Sequence, residues 1–394
     1  MTFTEVEMSI EETKQRHWNA RMMARYQRQM VLPQVGFSGQ ERLLESRVLI
    51  VGVGALGSAA SAYLAAAGVG TIGLVDGDTV DLSNLHRQIL HDESQVGAPK
   101  TRSGASRLRA LNPDARVVEH HEFLTSKNAL AIFSDYDIIV NGSDNFPTRY
   151  LVNDAAVLLG KPLVDAAILR FEGQLAVYRP GHGCYRCLFP TPPSPGSVPN
   201  CAEAGILGAV AGVLGSMEAV ETLKLLLGLE PNEQSHLSVY DALRGNWQRM
   251  PFRRNRACVV CGDRPTVTTL IDYDSFCGSE SLLNAQAGTD TAQPFSVNVD
   301  EAARMISGAG IQVIDIRDIE EYTRGHIPEA SYCPMEELDS MARTISAKPI
   351  LLVCQIGVRS SYAAQYLRSL GYTAWTLSGG TAAWEASGGP LIST

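Results

Sequence analysis

The sequence predicts an α/β protein in two parts, a larger domain on a largely parallel sheet and a smaller α/β domain after it. Three observations predict it. First, Arg47-Val-Leu-Ile-Val-Gly-Val-Gly54 reads as a buried strand entering a tight glycine turn, followed by a small, apolar helical stretch over 56–67 and a second strand-like run over 71–76. Second, the strand-like Val313-Ile-Asp-Ile316 and Ile350-Leu-Leu-Val-Cys354 are each followed by a polar loop, and 360–370 looks helical. Third, 394 residues exceed what one ordinary hydrophobic core organises.

Taken in order, further strand-like runs lie at 116–119, 138–141, 163–165 and 174–178. Helical segments alternate with the first of these, as a parallel sheet requires. After Cys261 the chain turns polar and is broken by Gly, Ser and Thr, the composition of a linker. The expected division is an N-terminal arm over 1–24, a first domain over 25–262, a linker over 263–293 and a second domain over 294–394.

Apolar content of 45% with 19% charged residues is that of a globular chain. A formal net charge of −9 argues against general nucleic-acid binding, since nothing would neutralise a phosphate backbone non-specifically. The N-terminus has no apolar core of a signal peptide. The most apolar run, 204–215, is soon interrupted by Glu218 and Glu221, so no membrane association is expected. The eight cysteines include two Cys-x-x-Cys pairs, which favours metal or thiol chemistry over disulfides and a cytoplasmic location.

Gly52-x-Gly54-x-x-Gly57 alone suits a nicotinamide, a flavin, an adenosine nucleotide or a mere close-packed turn. Asp76, ending the next strand, is placed to hydrogen-bond a ribose. The surrounding residues change the balance: Arg25-Tyr-Gln-Arg28-Gln29 upstream, then Asp81-Leu-Ser-Asn84-Leu-His86-Arg87-Gln88, Lys100, and Asn141-Gly-Ser-Asp144-Asn145-Phe-Pro-Thr-Arg149. Hydride transfer needs no such set of cations. A pentavalent phosphate and a departing pyrophosphate do, with an acidic residue for Mg²⁺.

These segments resemble the molybdopterin-synthase and thiamine-biosynthesis adenylyltransferases (MoeB and ThiF), relatives of the ubiquitin-activating enzymes, from about Arg25 to Gly262. The resemblance implies a Rossmann-like domain that binds ATP and Mg²⁺. Arg28, Asn84, Arg87 and Lys100 would contact the phosphates, Asp76 the ribose, and Asp144 the Mg²⁺, with Gly54, Gln88 and Asn145 in the same site. It also implies a homodimer in which Arg28 crosses from the partner subunit. His86 stands where glutamine is frequent, a departure that leaves Arg87 and Gln88 intact.

Cys184-Tyr-Arg-Cys187 and Cys258-Val-Val-Cys261 have the spacing of two zinc knuckles. Four thiolates close a tetrahedral site that is structural, since no position is left for water. A redox role for the pairs is the competing reading. Cys201 follows a Gly- and Pro-rich stretch just ahead of a long apolar run, where a helix N-terminus would lower its pKa; its bland alternative is a small buried hydrophobe. In the resembling family this position can carry a thiol that forms a thioester or acyl disulfide. Cys277 and Cys333 receive no role.

Val313-Ile-Asp315-Ile-Arg317, Glu320-Glu-Tyr-x-x-Gly325-His326-Ile-Pro and Val353-Cys354-Gln-Ile-Gly357-Val-Arg359-Ser360 resemble a rhodanese domain. Cys354 ends a buried strand and the next loop opens a helix, so backbone N–H groups and the helix dipole converge on the sulfur and favour thiolate or persulfide. Arg359 is expected to guide an anionic donor. Cysteine phosphatases resembling this fold use Cys-x5-Arg; the loop here is Cys354-x4-Arg359, one residue shorter, sized for a sulfur atom.

Joined, the halves imply ATP-dependent adenylation of the C-terminal Gly-Gly carboxylate of a ubiquitin-like sulfur carrier, then thiocarboxylate formation. The sulfur comes from Cys354 persulfide, loaded by thiosulfate or a cysteine desulfurase, with Cys201 as a relay. The carrier, whether of molybdenum cofactor biosynthesis or another pathway, is not readable from the chain. Two rivals stay open: an enzyme that passes the carrier to protein targets, and a non-catalytic nucleotide-sensing scaffold.

Overall fold

The computed structural model describes residues 18–193, 205–229, 235–277, 296–308, 310–342, 349–355 and 357–393. In the first domain eight strands form one sheet: β1 (Arg47–Val51), β2 (Thr71–Val75), β3 (Arg116–His120), β4 (Ile138–Asn141), β5 (Leu163–Leu169), β6 (Glu172–Tyr178), β7 (His236–Asp241) and β8 (Asn246–Pro251). Their order is β3-β2-β1-β4-β5-β6-β7-β8, parallel from β3 to β5 and antiparallel beyond. The chain winds outward from β1 to β3 and returns to β4 on the other side of β1. That reversal opens a crevice at the carboxyl ends of β1 and β4, where open α/β sheets bind ligands.

Local chemistry sets these elements. β1 and β4 are apolar and buried, as strands covered on both faces must be. The helix Ala55–Ala67 is made of small residues because the helix Gly208–Leu227 lies directly on it: a Cβ at Gly215 would fall 2.4 Å from the Leu56 carbonyl oxygen. No helix among the described residues is long and apolar enough to cross a membrane.

The segment after the second cysteine pair differs from the linker expected over 263–293. The short helix Tyr273–Cys277 is folded onto the first domain. Tyr273 is buried and donates to the Asp154 carboxylate at 2.8 Å, while Phe276 meets Tyr150 edge-on at 5.1 Å. The Arg186 guanidinium lies over the Tyr150 and Phe276 rings at 4.8 and 4.5 Å, ion-paired to Asp154 at 2.8 Å. Two aromatic anchors in a polar stretch suffice to dock it, and composition averages over them.

The second domain carries a parallel sheet of β9 (Ser296–Val297), β10 (Gln312–Asp315), β11 (Ala330–Tyr332), β12 (Ile350–Val353) and β13 (Ala374–Leu377). Their order is β11-β10-β12-β13-β9, with β12 central and fully buried. An Asn298–Glu301 capping box starts its first helix. The two domains touch. Tyr362 packs edge-on against Phe189 at 5.4 Å, and Arg244, in the turn after β7, pairs with Asp318 at 2.7 Å and Glu321 at 3.5 Å.

Candidate active sites

Gly52 sits at φ +85°, a left-handed conformation that turns the chain sharply out of β1. Gly57 permits close packing, since a Cβ there would lie 2.0 Å from the Gly52 carbonyl oxygen. Gly54 faces open space, with the Gln88 amide nitrogen 3.6 Å from where its Cβ would be. Gly57→Ala is therefore expected to force the turn open, at the upper end of the roughly 1–3 kcal/mol of an overpacked site. A thermal melt alongside nucleotide titration checks it; an unchanged melting temperature and affinity would show that the turn is not tight.

Asp76 follows β2 and accepts from the Val53 and Asp78 N–H groups, both at 2.8 Å. Burial raises its pKa, and Lys100 with these two N–H groups partly offsets that rise. The Lys100 ammonium, itself nearly buried, is 2.9 Å from the Asp78 carboxylate. The Asn84 side-chain oxygen accepts from Arg87 at 2.8 Å and from Gln88 at 3.2 Å, locking the three into one cluster. At the end of β4, Asp144 and Asn145 are exposed, and the Asn145 side chain caps the helix Phe146–Leu158 through the Thr148 N–H. A Cβ at Gly52 would lie 3.1 Å from the Gly142 carbonyl oxygen, so the β1 and β4 loops meet at the crevice.

The structure thus brings Gly54, Asp76, Asn84, Arg87, Gln88 and Lys100 together beside the loop of Asp144 and Asn145. Arg28 is exposed in the last turn of the helix Ala20–Met30, and among the described residues no hydrogen bond or ion pair joins it to that group. His91 was missed by sequence reasoning. Its ring bonds the Val53 carbonyl and the Ser103 hydroxyl, both at 2.9 Å, tying the glycine turn to the helix Lys100–Leu111. Burial lowers its pKa and keeps it neutral. Nothing near His91 in the sequence marks it, because its partners lie far away in the chain.

Cys184, Cys187, Cys258 and Cys261 present four sulfurs within 4.8 Å of one another, with separations of 3.9 Å (184–187), 3.7 Å (184–258) and 3.3 Å (187–261). A tetrahedron of metal–sulfur bonds of about 2.3 Å has edges near 3.8 Å, so the donor set fits one ion. Four thiolates this close need a cation between them.

In the second domain Cys354 follows β12 and is 0% exposed. Its sulfur accepts from the Gly357 N–H at 3.2 Å and from the Ser360 N–H and hydroxyl, each at 3.4 Å. Gly357 holds the loop closed at φ +88°, starting the helix Val358–Ser369. This is an anion cradle around one sulfur. Arg359 does not act as the free cation the sequence suggests: it is buried, bonded to both Glu321 oxygens at 3.1 and 3.0 Å, and 3.9 Å from Glu172 of the first domain. Burial opposes its charge, but Cys354, Glu321 and Glu172 keep the guanidinium protonated, above the ordinary arginine value. Cys201 lies outside the described residues.

Residues 26–260 match the ThiF family, and residues 298–387 match the rhodanese-like domain. A sulfur carrier protein adenylyltransferase of Thermus thermophilus is 54% identical over 267 residues, covering 66% of this chain and 98% of its own length. The adenylyltransferase and sulfurtransferase MOCS3 of Sus scrofa is 43% identical over 387 residues, 92% of this chain and 85% of its own. Among solved structures, E. coli MccB with MccA-N7isoASN superposes with a TM-score of 0.52 at 25% identity, over 57% of this chain and 69% of that one. With its switch-point turn, its Asp76–Lys100 cluster and the matches on both halves, the chain belongs to the ThiF family and carries a C-terminal rhodanese-like domain.

Proposed function

We propose that this chain adenylates the C-terminal carboxylate of a sulfur-carrier protein and then delivers the sulfur that converts the adenylate to a thiocarboxylate. The observation that carries the reading is the joining, in one chain, of the β1/β4 crevice cluster to the sulfur cradle of Cys354. A carboxylate resists nucleophiles until its oxygen becomes a good leaving group; ATP supplies that group and the cradle supplies the atom.

In this reading Asp76 binds the ribose, Asn84, Arg87, Gln88 and Lys100 face the phosphates, and Asp144, beside Asn145, takes the Mg²⁺. The carrier carboxylate attacks the α-phosphate of ATP bound here, the α–β phosphoanhydride breaks, and pyrophosphate leaves an acyl adenylate. Lys100 then exchanges Asp78 for phosphate oxygens. Arg28, unpaired with this cluster, completes the site of a second copy in a homodimer. The four-cysteine cluster holds Zn²⁺. The carrier ends in a flexible Gly-Gly tail that fits a narrow crevice, and a cytoplasmic location suits the free thiols.

Cys354, loaded as a persulfide by thiosulfate or a cysteine desulfurase, attacks the activated carbonyl. AMP leaves, and Cys201 would attack the Cys354 sulfur of the acyl disulfide, releasing the thiocarboxylate and leaving a Cys201–Cys354 disulfide that an external thiol reductant reopens. ATP–pyrophosphate exchange dependent on a Gly-Gly carrier, with mass spectrometry of that carrier, tests the reading. Exchange and a thiocarboxylate mass are expected. Carrier–lysine conjugates without thiocarboxylate, or no exchange with any carrier, would reject it.

A further inference from the structure

Arg149 lies in the segment that carries Asp144, among the cations that suggest phosphate chemistry, yet it does not reach the crevice. It is 5% exposed and fully committed. Its guanidinium donates to Asp165 at 3.2 Å, to the Ala166 carbonyl at 2.6 Å and to the Ser143 carbonyl at 3.3 Å. Asp165 is also 5% exposed, and its other oxygen accepts from the Asn141 amide at 2.7 Å. Asn141, the last residue of β4, is the register partner of Asp165 within β5. The Asn141 side-chain oxygen then accepts from the Ser143 hydroxyl at 2.8 Å and the Ser143 N–H at 3.3 Å.

These bonds converge on one residue. Ser143 is gripped at its N–H, its hydroxyl and its carbonyl, and that carbonyl belongs to the peptide plane joining it to Asp144. The plane on which Asp144 hangs is therefore fixed from below, while the Asp144 side chain stays exposed. Four residues on two strands, a loop and a helix are engaged in fixing the peptide plane that precedes Asp144.

We propose that Arg149, Asp165 and Asn141 are positioning residues that set the orientation of Asp144 toward the magnesium of ATP. This rests on the reading that Asp144 takes the Mg²⁺. Asp165 balances the buried charge of Arg149, Arg149 orients the carbonyl before Asp144, and Asn141 locks Ser143 from the other side. Such outer partners tune the metal affinity of the group they hold, and losing one weakens it about 10–100-fold.

The test is calorimetric titration of ATP into the full-length protein over a series of Mg²⁺ concentrations and in EDTA. It is joined by the Mg²⁺ dependence of pyrophosphate exchange. Arg149→Lys is expected to raise the half-saturating Mg²⁺ roughly tenfold or more. ATP affinity in EDTA, metal content of the cysteine cluster and persulfide loading of Cys354 should stay at the parent level. Should that variant not fold, Asp165→Asn and Ser143→Ala, which change one polar atom each, must move the Mg²⁺ requirement in the same direction.

An unchanged Mg²⁺ requirement in the folded variants overturns the proposal, as does an equal loss of affinity with and without the metal. Asp144→Ala separates the two layers. If it removes the Mg²⁺ dependence while the other variants leave it intact, only the positioning role fails. If Asp144→Ala itself leaves the dependence intact, the magnesium reading fails first.

Discussion

Asp144→Ala is expected to abolish carrier-dependent pyrophosphate exchange, by at least about 10²–10³-fold, the scale on which single charge-stabilising groups act in acyl and phosphoryl chemistry. The reason is local. Asp144 is an exposed carboxylate in the loop after β4, the loop that meets the glycine turn at the crevice. Without it the anionic phosphates keep the lysine and arginines but lose the residue proposed to hold their Mg²⁺. Sulfur loading should survive, because Cys354 is cradled by Gly357 and Ser360 of the other domain. The converse, Cys354→Ala, should spare exchange and lose loading. Radiolabelled exchange and a persulfide assay on both variants decide this. Loss of exchange in Cys354→Ala would mean that the two chemistries are not divided between the domains.

The second large effect concerns the cysteine cluster. Cys258→Ser, or removal of the metal by a chelator, is expected to lower the melting temperature of the first domain by on the order of 10–20 °C. Loss of a structural metal is among the few single changes that reach about 4–5 kcal/mol, and a domain of this size shifts roughly 2–4 °C per kcal/mol. The geometry explains the size. Cys258 meets Cys184, and Cys261 meets Cys187, each across 74 positions of sequence. An ion held there would close a long loop as well as bind four thiolates, and its binding energy would be folding energy. Scanning calorimetry with metal analysis checks it. Freshly purified protein devoid of zinc would refute the assignment, and an unshifted melt in Cys258→Ser would show that the cluster bears little stability.

Much of this was legible in the chain because it depends on short-range chemistry. The β1 turn is announced by Gly52, Gly54 and Gly57, and the sulfur cradle by the interval from Cys354 to Arg359. What depends on distant partners was not. Arg359 looks like a free cation in the sequence, and only the fold supplies Glu321, 38 positions away, and Glu172 from the other domain. Lys100 is likewise paired to Asp78, 22 positions earlier. The antiparallel β7 and β8 escaped notice because half-exposed strands lack the unbroken apolar runs of β1 and β4. Tyr273 and Phe276 were read as linker because a polar stretch with two aromatic anchors has no period to detect.

The closed contact between the domains has a kinetic meaning. Cys354 is fully buried, and Arg359 of the same loop is held between Glu321 and the other domain's Glu172. A donor that needs the domains parted would bind with an apparent dissociation constant equal to the intrinsic one divided by the fraction of molecules parted. At saturating donor the loading rate would then be a gate-opening rate, the same for a small anion as for a protein, and the same shelter would keep a persulfide away from reducing thiols. Arg244, through Asp318 and Glu321, would then govern how often the enzyme accepts sulfur as well as how long it keeps it.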